Sequence, residues 1–219
     1  YKELFGETYF FQCYLNSILV SSGTIALSLL LGVPAAYAFS RAKFRFQQPL
    51  LNLILMTRMA PGMAFVIPFV IAYSSLKILG TRYGLMIAYQ TFNLSLVVWL
   101  MKAYFDEIPK DIEESAEIDG ASIFQAFWKV TLPLTGPGLI ATSVLCYVIS
   151  WNEFMFALLL TDRDTRTAPV AILQFMGYEG LDWGKLATAS MFVILPVIVF
   201  AIVAQKYFVK GLLGGAVKE

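Results

Sequence analysis

Six polar or aromatic side chains occur in stretches of the 219-residue sequence that are otherwise mostly apolar. They are Gln90, Asn93, Tyr147, Ser150, Trp151 and Glu153. Gln90 and Asn93 are three positions apart, as are Ser150 and Glu153, so each pair shares a face of a helix. Amide, hydroxyl and carboxylate groups can pair with the hydroxyls of a polar solute, and the two rings offer surfaces for stacking. These residue types predict a path for an uncharged polar molecule.

The composition predicts where such a path must lie. The chain is 58% hydrophobic and 14% charged, with a mean hydropathy of +0.70, whereas about a quarter of the residues in a soluble domain are charged. Asp, Glu, Lys and Arg are absent from residues 8–40, 59–76, 83–101, 130–152 and 186–205. Each stretch is about as long as a helix needs to cross a hydrocarbon core of roughly 30 Å. We therefore expect an all-α integral membrane protein, which excludes soluble enzymes, nucleic-acid-binding proteins and disordered tails.

Five membrane-spanning helices are predicted, at about 16–40, 50–76, 83–104, 134–160 and 185–208. Together they form a transmembrane domain over residues 16–208, with a lead of residues 1–15 and a tail of residues 209–219. Two long polar connections, residues 105–133 and 161–184, lie on opposite sides of the membrane.

The Lys and Arg residues that flank these spans predict the orientation. Nine of them lie on one side and six on the other, and cytoplasmic flanks carry the excess. Residues 105–133 and the tail are therefore predicted to be cytoplasmic, whereas the lead and residues 161–184 are extracytoplasmic. The net charge of +1 provides no general attraction for nucleic acids or acidic partners.

A structural role for the polar side chains inside the spans stays open. At about 1.5 Å per residue, the four non-aromatic ones lie roughly 10–16 Å from the outer face, so they could equally join neighbouring helices by hydrogen bonds. Asn152 points away from the other polar side chains of its span and is predicted to make such a packing bond. Arg58 lies roughly 27 Å from the outer face. This is too deep for an ion pair with Glu153, and Arg58 is expected to reach towards the cytoplasm.

The sequence gives no reason to expect a metal site, a cofactor bound by this chain or a catalytic residue. It has no histidine, which excludes histidine-ligated zinc or haem and a histidine base. Cys13 and Cys146 are far apart in apolar surroundings and are expected to be buried thiols. The chain lacks the glycine-rich pattern of a P-loop, so it is not expected to bind ATP itself in such a loop.

The connection 105–133 has the pattern of two short helices that lie along the membrane. A proline followed by acidic residues is a helix-start signal, and Gly120 supplies a left-handed stop. A second helix then places Ile123, Phe127 and Val130 on one apolar face. This segment is predicted to present one acidic and one hydrophobic face.

The same connection closely resembles the EAA loop of permease subunits from binding-protein-dependent ABC importers. The residues that carry or extend this motif are Glu114, Ser115, Ala116, Asp119, Gly120, Ala121, Ser122, Phe124, Leu132 and Pro133. Ser115 stands where the family usually has alanine, and both side chains are small. The resemblance extends over nearly the whole chain through residues 16–17, 151–154, 182–184 and 211–218. It is nearest to the branch that imports carbohydrates such as maltose and trehalose.

This resemblance implies a fold and a set of partners. In that family the EAA loop is a coupling helix that docks in a groove of the ATPase subunit, so the ten residues above are expected to couple to the ATPase. Two ATPase subunits that bind ATP and Mg, a second homologous permease and an extracytoplasmic solute-binding protein are implied as partners. Residues 161–184 are the longest loop available to meet the solute-binding protein. Family members carry a further helix before the position of Asn16. This sequence has no counterpart of that helix, so five helices are expected in this chain. The resemblance also implies the cytoplasmic membrane of a bacterium or archaeon.

Two other functional classes remain as alternatives at this point. A secondary transporter or channel that uses no ATPase would carry inward carboxylates and repeated halves, but the sequence offers one intramembrane acid and no repeat. A membrane enzyme would need a cluster of acids, bases or nucleophiles, and none is visible. The favoured prediction is the permease subunit of an ABC importer for a sugar or a related polyol.

Overall fold

The computed structural model describes residues 8–59, 62–177 and 180–216, which are mostly helical. In chain order the helices are α1 (Thr8–Arg41), α2 (Gln47–Met59), α3 (Gly62–Ser75), α4 (Arg82–Ala88), α5 (Gln90–Asp106), α6 (Lys110–Ile118), α7 (Ile123–Ala126), α8 (Leu132–Leu134), α9 (Gly136–Asn152), α10 (Met155–Leu160), α11 (Ala168–Ala171) and α12 (Trp183–Ala216). A π-helix over Phe127–Thr131 follows α7, and a 3₁₀-helix over Ile172–Phe175 follows α11. Strands β1 (Met176–Gly177) and β2 (Gly180–Leu181) pair antiparallel, with Met176 opposite Leu181.

The predicted all-α fold is confirmed, although the helices do not end where the sequence pattern placed the ends of the spans. Helix α1 begins at Thr8, eight residues before the predicted start of the first span, and α12 continues to Ala216. The lead residues 1–7 and the last three residues of the tail lie outside the described residues. Within the described ranges, Tyr9–Arg41 and Trp183–Ile202 are each long and apolar enough to cross a membrane alone.

The remaining predicted spans are bent or broken. Helices α4 and α5 together form a candidate span with a 48° bend, and the segment Ile123–Leu134 meets α9 at 74°. The predicted span at 134–160 is divided into α9 and α10 at Glu153, whose backbone is extended. The span at 50–76 is divided into α2 and α3, and residues 60–61 between them, including Pro61, lie outside the described residues. Helix α3 continues through Pro68.

Close packing of α1 against α5 forms the centre of the protein. Gly32 on α1 allows this approach, because a Cβ atom there would lie 2.7 Å from Cγ1 of Val97 on α5. Around this contact, one buried cluster joins α1, α5 and α9 through Val33, Ala36, Leu96, Val97, Met101, Phe105, Phe127 and Cys146. Large apolar side chains stay exposed on α1, α3 and α12, which suits surfaces that face lipid or another membrane subunit.

We expect Gly32→Ala to destabilise the protein, because the added methyl group overlaps Val97 and overpacking costs about 1–3 kcal/mol. Gly136→Ala is the matched control, since a Cβ atom at Gly136, the first residue of α9, meets nothing within 4 Å. The midpoint of thermal unfolding of the detergent-purified protein should fall for Gly32→Ala and stay level or rise for Gly136→Ala. Equal midpoints for the two variants would contradict the close approach of α1 and α5.

Candidate functional site

The connection 105–133, called the EAA loop here after the motif that it resembles, contains two short helices joined at Gly120. Helix α6 follows Pro109 and carries Asp111 and Glu113 in its first turn, where the helix dipole favours negative charge. Gly120 has φ of +91°, a conformation that glycine adopts without a Cβ penalty. The predicted acidic helix and its left-handed stop are therefore both confirmed.

The second half of the loop begins with a capping box and then changes its helical period. The hydroxyl of Ser122 accepts the N–H of Gln125, whose side-chain oxygen accepts the N–H of Ser122. The predicted apolar face of Ile123 and Phe127 is not buried as a unit, since Ile123 is exposed whereas Phe127 is buried against Tyr37. The turn between them is α-helical, because the N–H of Phe127 bonds to the carbonyl oxygen of Ile123, and the wider π-helix begins only at Phe127.

Several large apolar side chains of the EAA loop are exposed, and together they are called the exposed patch here. Ile118 is 86% exposed and Phe124 is 70% exposed, and Ile112, Ile123 and Trp128 are exposed beside them in sequence. The predicted coupling residues are also accessible: Glu114, Ser115, Asp119, Gly120, Ser122 and Pro133 are exposed, while Ala116, Ala121 and Leu132 are half-buried. Exposed apolar side chains within a polar, charged segment are typical of a surface that binds another protein.

Glu113, which the sequence pattern did not single out, attaches this loop to α1. Its carboxylate accepts hydrogen bonds from Nε and Nη2 of Arg41 at 2.8–3.0 Å, forming an ion pair. The hydroxyl of Tyr37, one turn earlier in α1, donates to the same carboxylate at 3.0 Å. The hydroxyl of Thr131, near the end of the loop, donates to it at 2.9 Å. One carboxylate therefore joins α1 to both halves of the loop.

The environment of Glu113 keeps its carboxylate charged. Burial alone raises the pKa of this group, but hydrogen bonds from Arg41, Thr131 and Tyr37 outweigh burial and hold the pKa below its ordinary value. A group whose pKa falls on folding contributes stability above its unfolded pKa and loses that contribution as the pH falls through the folded value. The attachment is therefore intact at neutral pH and weakens only in acid.

A cavity of about 750 Å³, called the inner cavity here, opens between the spans. Residues of α1, α2, α3, α5, α9 and α10 and Glu153 line it, and most of their side chains are apolar. Polar groups reach it from Arg58, Gln90 and Glu153, among others. Of the six residues predicted to form a solute path, Gln90 and Glu153 are therefore the two that line this cavity.

Gln90 also joins two helices. Its side-chain oxygen accepts the hydroxyl of Ser28 on α1 at 2.7 Å, and its Nε2 donates to the carbonyl oxygen of Thr24 at 3.2 Å. The same Nε2 donates to the carbonyl oxygen of Met86 at 3.0 Å, close to the bend between α4 and α5. The side-chain amide of Gln90 is thus held in place at the cavity wall.

Asn93 and Ser150 meet in the protein interior and not at the inner cavity. Nδ2 of Asn93 donates to Oγ of Ser150 at 2.7 Å, and both side chains are buried. This bond links α5 to α9, as expected for polar residues that join membrane helices. The structure therefore supports the structural interpretation of this pair.

The two aromatic residues of the predicted path pack against α12. Nε1 of Trp151 donates to the carbonyl oxygen of Val193 at 2.9 Å, and Trp151 is almost fully buried. Tyr147 stacks on Trp151, with ring centroids 5.7 Å apart. The centroid of the Tyr147 ring also lies 4.0 Å from that of Phe200. Neither ring faces the inner cavity in this chain, so the six residues predicted for the path do not come together in one cavity.

Glu153 lines the inner cavity at the break between α9 and α10. Its Oε1 accepts the N–H of Phe156 at 3.0 Å and its Oε2 accepts the N–H of Ala157 at 3.1 Å. The carboxylate therefore satisfies two N–H groups that the start of α10 leaves without helical partners. The predicted helical face shared by Ser150 and Glu153 is interrupted here, because α9 ends at Asn152.

Two further predictions concern neighbours of this break. The packing bond predicted for Asn152 is made within its own helix, to the carbonyl oxygen of Val148 at 2.8 Å, and Asn152 is exposed. Arg58 lines the same cavity as Glu153, but in the described parts of the chain the two form no ion pair. This agrees with the prediction that Arg58 does not pair with Glu153.

At the opposite end of the spans, Asn16 and Ser17 of α1 hold the connection that follows α10. Nδ2 of Asn16 donates to the carbonyl oxygens of Asp164 and Arg166, each at 2.9 Å. Nε of Arg82 donates to Oδ1 of Asn16 at 2.7 Å, and the hydroxyl of Ser17 accepts the N–H of Ala168 at 2.8 Å. The Asn16-Ser17 pair, noted in the sequence only as part of the resemblance, thus fixes the start of the 161–184 loop against α1.

Comparison with known proteins gives consistent results. The family described as "binding-protein-dependent transport system inner membrane component" matches residues 28–213. The trehalose transport system permease protein SugB of Mycobacterium tuberculosis is 36% identical, and the match covers 100% of this chain and 81% of that protein. The trehalose/maltose transport system permease protein MalG of Thermococcus litoralis is also 36% identical, over 99% of this chain and 79% of its own length.

Similarity extends to solved structures. A bacterial ABC transporter involved in the import of the acidic polysaccharide alginate has a chain that superposes with a TM-score of 0.80 at 28% identity, covering 95% of this chain and 78% of that chain. A chain of the MetNI methionine ABC transporter superposes with a TM-score of 0.74 at 13% identity. The second likeness shows a shared fold.

The hydrogen bonds of Glu153 predict a measurable structural role. In Glu153→Gln, one of the two backbone N–H groups at the start of α10 loses its oxygen acceptor, and loss of a cap costs about 0.5–2 kcal/mol. We expect a lower thermal midpoint for Glu153→Gln and an unchanged one for Asn152→Ala, since Asn152 is exposed and bonds only to its own helix.

A second measurement separates capping from contact with a solute. If Glu153 acts mainly as a cap, uptake per assembled complex should stay close to that of the wild type. A normal thermal midpoint together with lower uptake per complex would show instead that Glu153 acts on the transported molecule.

Proposed function

Because the chain belongs to the binding-protein-dependent transport system inner membrane component family and has the fold of ABC importer permeases, we propose that it forms part of the membrane path for a sugar or related polyol. The observation that carries this proposal is the family match over residues 28–213 combined with an exposed apolar patch on the matched EAA loop. Two relatives whose matches cover 99–100% of this chain are named as permeases, one for trehalose and one for trehalose or maltose. The alternative of a secondary transporter or channel without an ATPase is set aside, because the family consists of components of binding-protein-dependent systems.

We propose that the path is completed by a second, homologous permease. The inner cavity of about 750 Å³ is lined by several spans of this chain, and exposed apolar side chains such as Leu53 and Phe65 surround it. A second membrane subunit that covers these side chains would enclose the cavity. Gln90 and Glu153 would supply polar groups to the enclosed space, whereas Asn93, Tyr147, Ser150 and Trp151 would support its wall from behind.

The energy for transport is proposed to come from two ATPase subunits. These subunits would bind ATP and Mg and carry out hydrolysis, while this chain binds no cofactor and does no chemistry. Their docking site would be the exposed patch of the EAA loop, around Ile118, Ile123 and Phe124. Burial of such side chains in a groove supplies the hydrophobic contribution to binding, and the acidic residues Glu114 and Asp119 beside them add charge at the rim.

On the outer side, a solute-binding protein is proposed to deliver the sugar. The loop 161–184 would meet it, since Asn16 and Arg82 hold the start of this loop in a defined position. The chain would cross the cytoplasmic membrane of a bacterium or archaeon several times, with the EAA loop in the cytoplasm.

The coupling role predicts that Phe124→Ala weakens the binding of the ATPase subunits. An exposed aromatic residue that becomes buried in a partner is a typical hot spot, and its truncation costs about 2 kcal/mol or more, roughly a 30-fold loss of affinity. Phe46→Ala is the matched control, since Phe46 is 66% exposed and lies outside the EAA loop, between α1 and α2. Co-purification of the ATPase and its stimulation by sugar-loaded binding protein should fall for Phe124→Ala only. Equal results for both variants would remove the EAA loop as the docking site.

The proposed orientation can be tested by labelling. In a variant in which the buried Cys13 and Cys146 are replaced by alanine, Lys43→Cys and Asp164→Cys each introduce one exposed thiol. An impermeant thiol reagent added to intact cells, after permeabilisation of any outer membrane, should label position 164 and not position 43. Labelling of position 43 alone would reverse the topology.

A further inference from the structure

Helix α6 is attached to the rest of the protein in an unusual way. Of its nine residues, Glu113 alone is buried. A short amphipathic helix normally packs through an apolar stripe, but the apolar residues Ile112 and Ile118 at the outer surface of α6 are exposed. A charged side chain therefore takes the place of the apolar contact that usually fixes such a helix.

The partners of this carboxylate come from two separate parts of the chain, α1 and the end of the EAA loop. Arg41 is the last residue of α1, and its guanidinium also donates to the carbonyl oxygen of Ile108 at 3.1 Å, at the start of the EAA loop. Thr131 lies at the end of the π-helix, close to the end of the loop. Tyr37 donates its hydroxyl to the carboxylate, and its ring packs against the ring of Phe127 with centroids 4.6 Å apart. The Arg41–Glu113 pair thus connects α1, the beginning of the loop and its end at one point.

Stability alone does not account for a charged pair in this position. A buried ion pair contributes little net stability, because removing two charges from water costs about as much as their attraction returns. Well-packed apolar residues of similar size are often equally stabilising. What the pair adds is a fixed geometry, since the two parallel N–H···O bonds of a guanidinium with a carboxylate define both distance and orientation.

We propose that Glu113 is a positioning residue that makes the EAA loop and the cytoplasmic end of α1 move as one body. This inference rests on the proposed function, in which ATPase subunits dock on the loop. Displacement of the loop by the ATPase would pass through Glu113 to Arg41 and so along α1. Leu31 and Ala35 of α1 line the inner cavity, and Gly32 brings α1 against α5. Movement at the ATPase would therefore reach the cavity wall through the body of a single helix.

The test uses the complete importer with its second permease, ATPase subunits and solute-binding protein, reconstituted in vesicles. Arg41→Met and Glu113→Gln are compared singly and together. Arg41→Met leaves the carboxylate of Glu113 without its cation, and Glu113→Gln leaves the guanidinium of Arg41 without its anion. The double variant leaves no buried charge at this point. The amide introduced by Glu113→Gln keeps one oxygen in place of two, so it can accept from Thr131 or from Tyr37, while its NH2 group can donate to the other hydroxyl oxygen. Glu107→Gln is the matched control, because Glu107 is an exposed carboxylate before α6 that lies outside the pair and outside the ten predicted coupling residues.

The proposal predicts that assembly and coupling separate in the double variant. Yield and thermal midpoint of the importer should return close to wild-type values, because no unpaired buried charge remains. Stimulation of ATP hydrolysis by sugar-loaded binding protein should nevertheless stay about fivefold below wild type, the lower end of typical coupling between distant sites. The ATP hydrolysed for each sugar transported should rise accordingly. Normal stimulation and a normal ratio of ATP to sugar in the double variant would overturn the proposal.

A second measurement does not depend on assembly of the double variant. Spin labels at Ala38→Cys on α1 and Lys110→Cys on α6 are placed on exposed positions on either side of the pair. Their distance should be the same in the nucleotide-free and the ATP-trapped importer if loop and helix move together. A shift that exceeds the width of the distance distribution would overturn the proposal.

Failure of this inference can be distinguished from failure of the proposed function. If Phe124→Ala releases the ATPase while the double variant couples normally, docking at the EAA loop stands and the positioning role of Glu113 falls. If Phe124→Ala leaves docking and stimulation unchanged, the proposed function itself is wrong at this site.

Discussion

Backbone amides that leave a helix inside a membrane protein must find other partners, because lipid offers none. The positions of many polar side chains in this chain follow from that requirement. Glu153 provides acceptors for the first turn of α10, and Gln90 bonds to the carbonyl oxygens of Thr24 and Met86 beside the bend between α4 and α5. In the described spans, the bend between α4 and α5 and the break at Glu153 are thus each accompanied by a side chain that bonds to the backbone there.

The two ends of the spans are held by different kinds of bond. On the EAA-loop side, a charged pair between Arg41 and Glu113 fixes the connection, and its strength falls in acid because the carboxylate must stay ionised. On the opposite side, the amide of Asn16 bonds to two backbone carbonyls. The first arrangement fixes distance and orientation through two parallel bonds between charged groups, whereas the second links a neutral side-chain amide to backbone carbonyl oxygens. This difference matches the work proposed for each end, transmission of movement at one and stable presentation of a loop at the other.

The sequence predicted the presence of the helices well and their interruptions poorly. Charge-free stretches located the spans, and the pattern around Gly120 predicted both the short acidic helix and its left-handed end, since these signals are local. The break at Glu153 has no proline or glycine beside it. The carboxylate of Glu153 instead accepts the N–H groups of Phe156 and Ala157 at the start of the next helix. The bond from Asn93 to Ser150 and the Arg41–Glu113 pair join residues 57 and 72 positions apart. Contacts at such separation leave no periodic signal in a single sequence. The shared depth of four polar residues was therefore insufficient to tell a solute path from helix packing.

The attachment of α6 by a single buried side chain has a consequence for the divergence of such proteins. Because the remaining residues of this helix contribute little to the interior, we expect substitutions there to leave the membrane domain folded while they alter the surface proposed to bind the ATPase. The choice of ATPase and the integrity of the cavity wall would then be separable under mutation. In an organism with several importers, the ATPase that each one uses could change through substitutions at a few exposed positions. Glu113 stands apart from these positions, because its carboxylate holds the helix to α1.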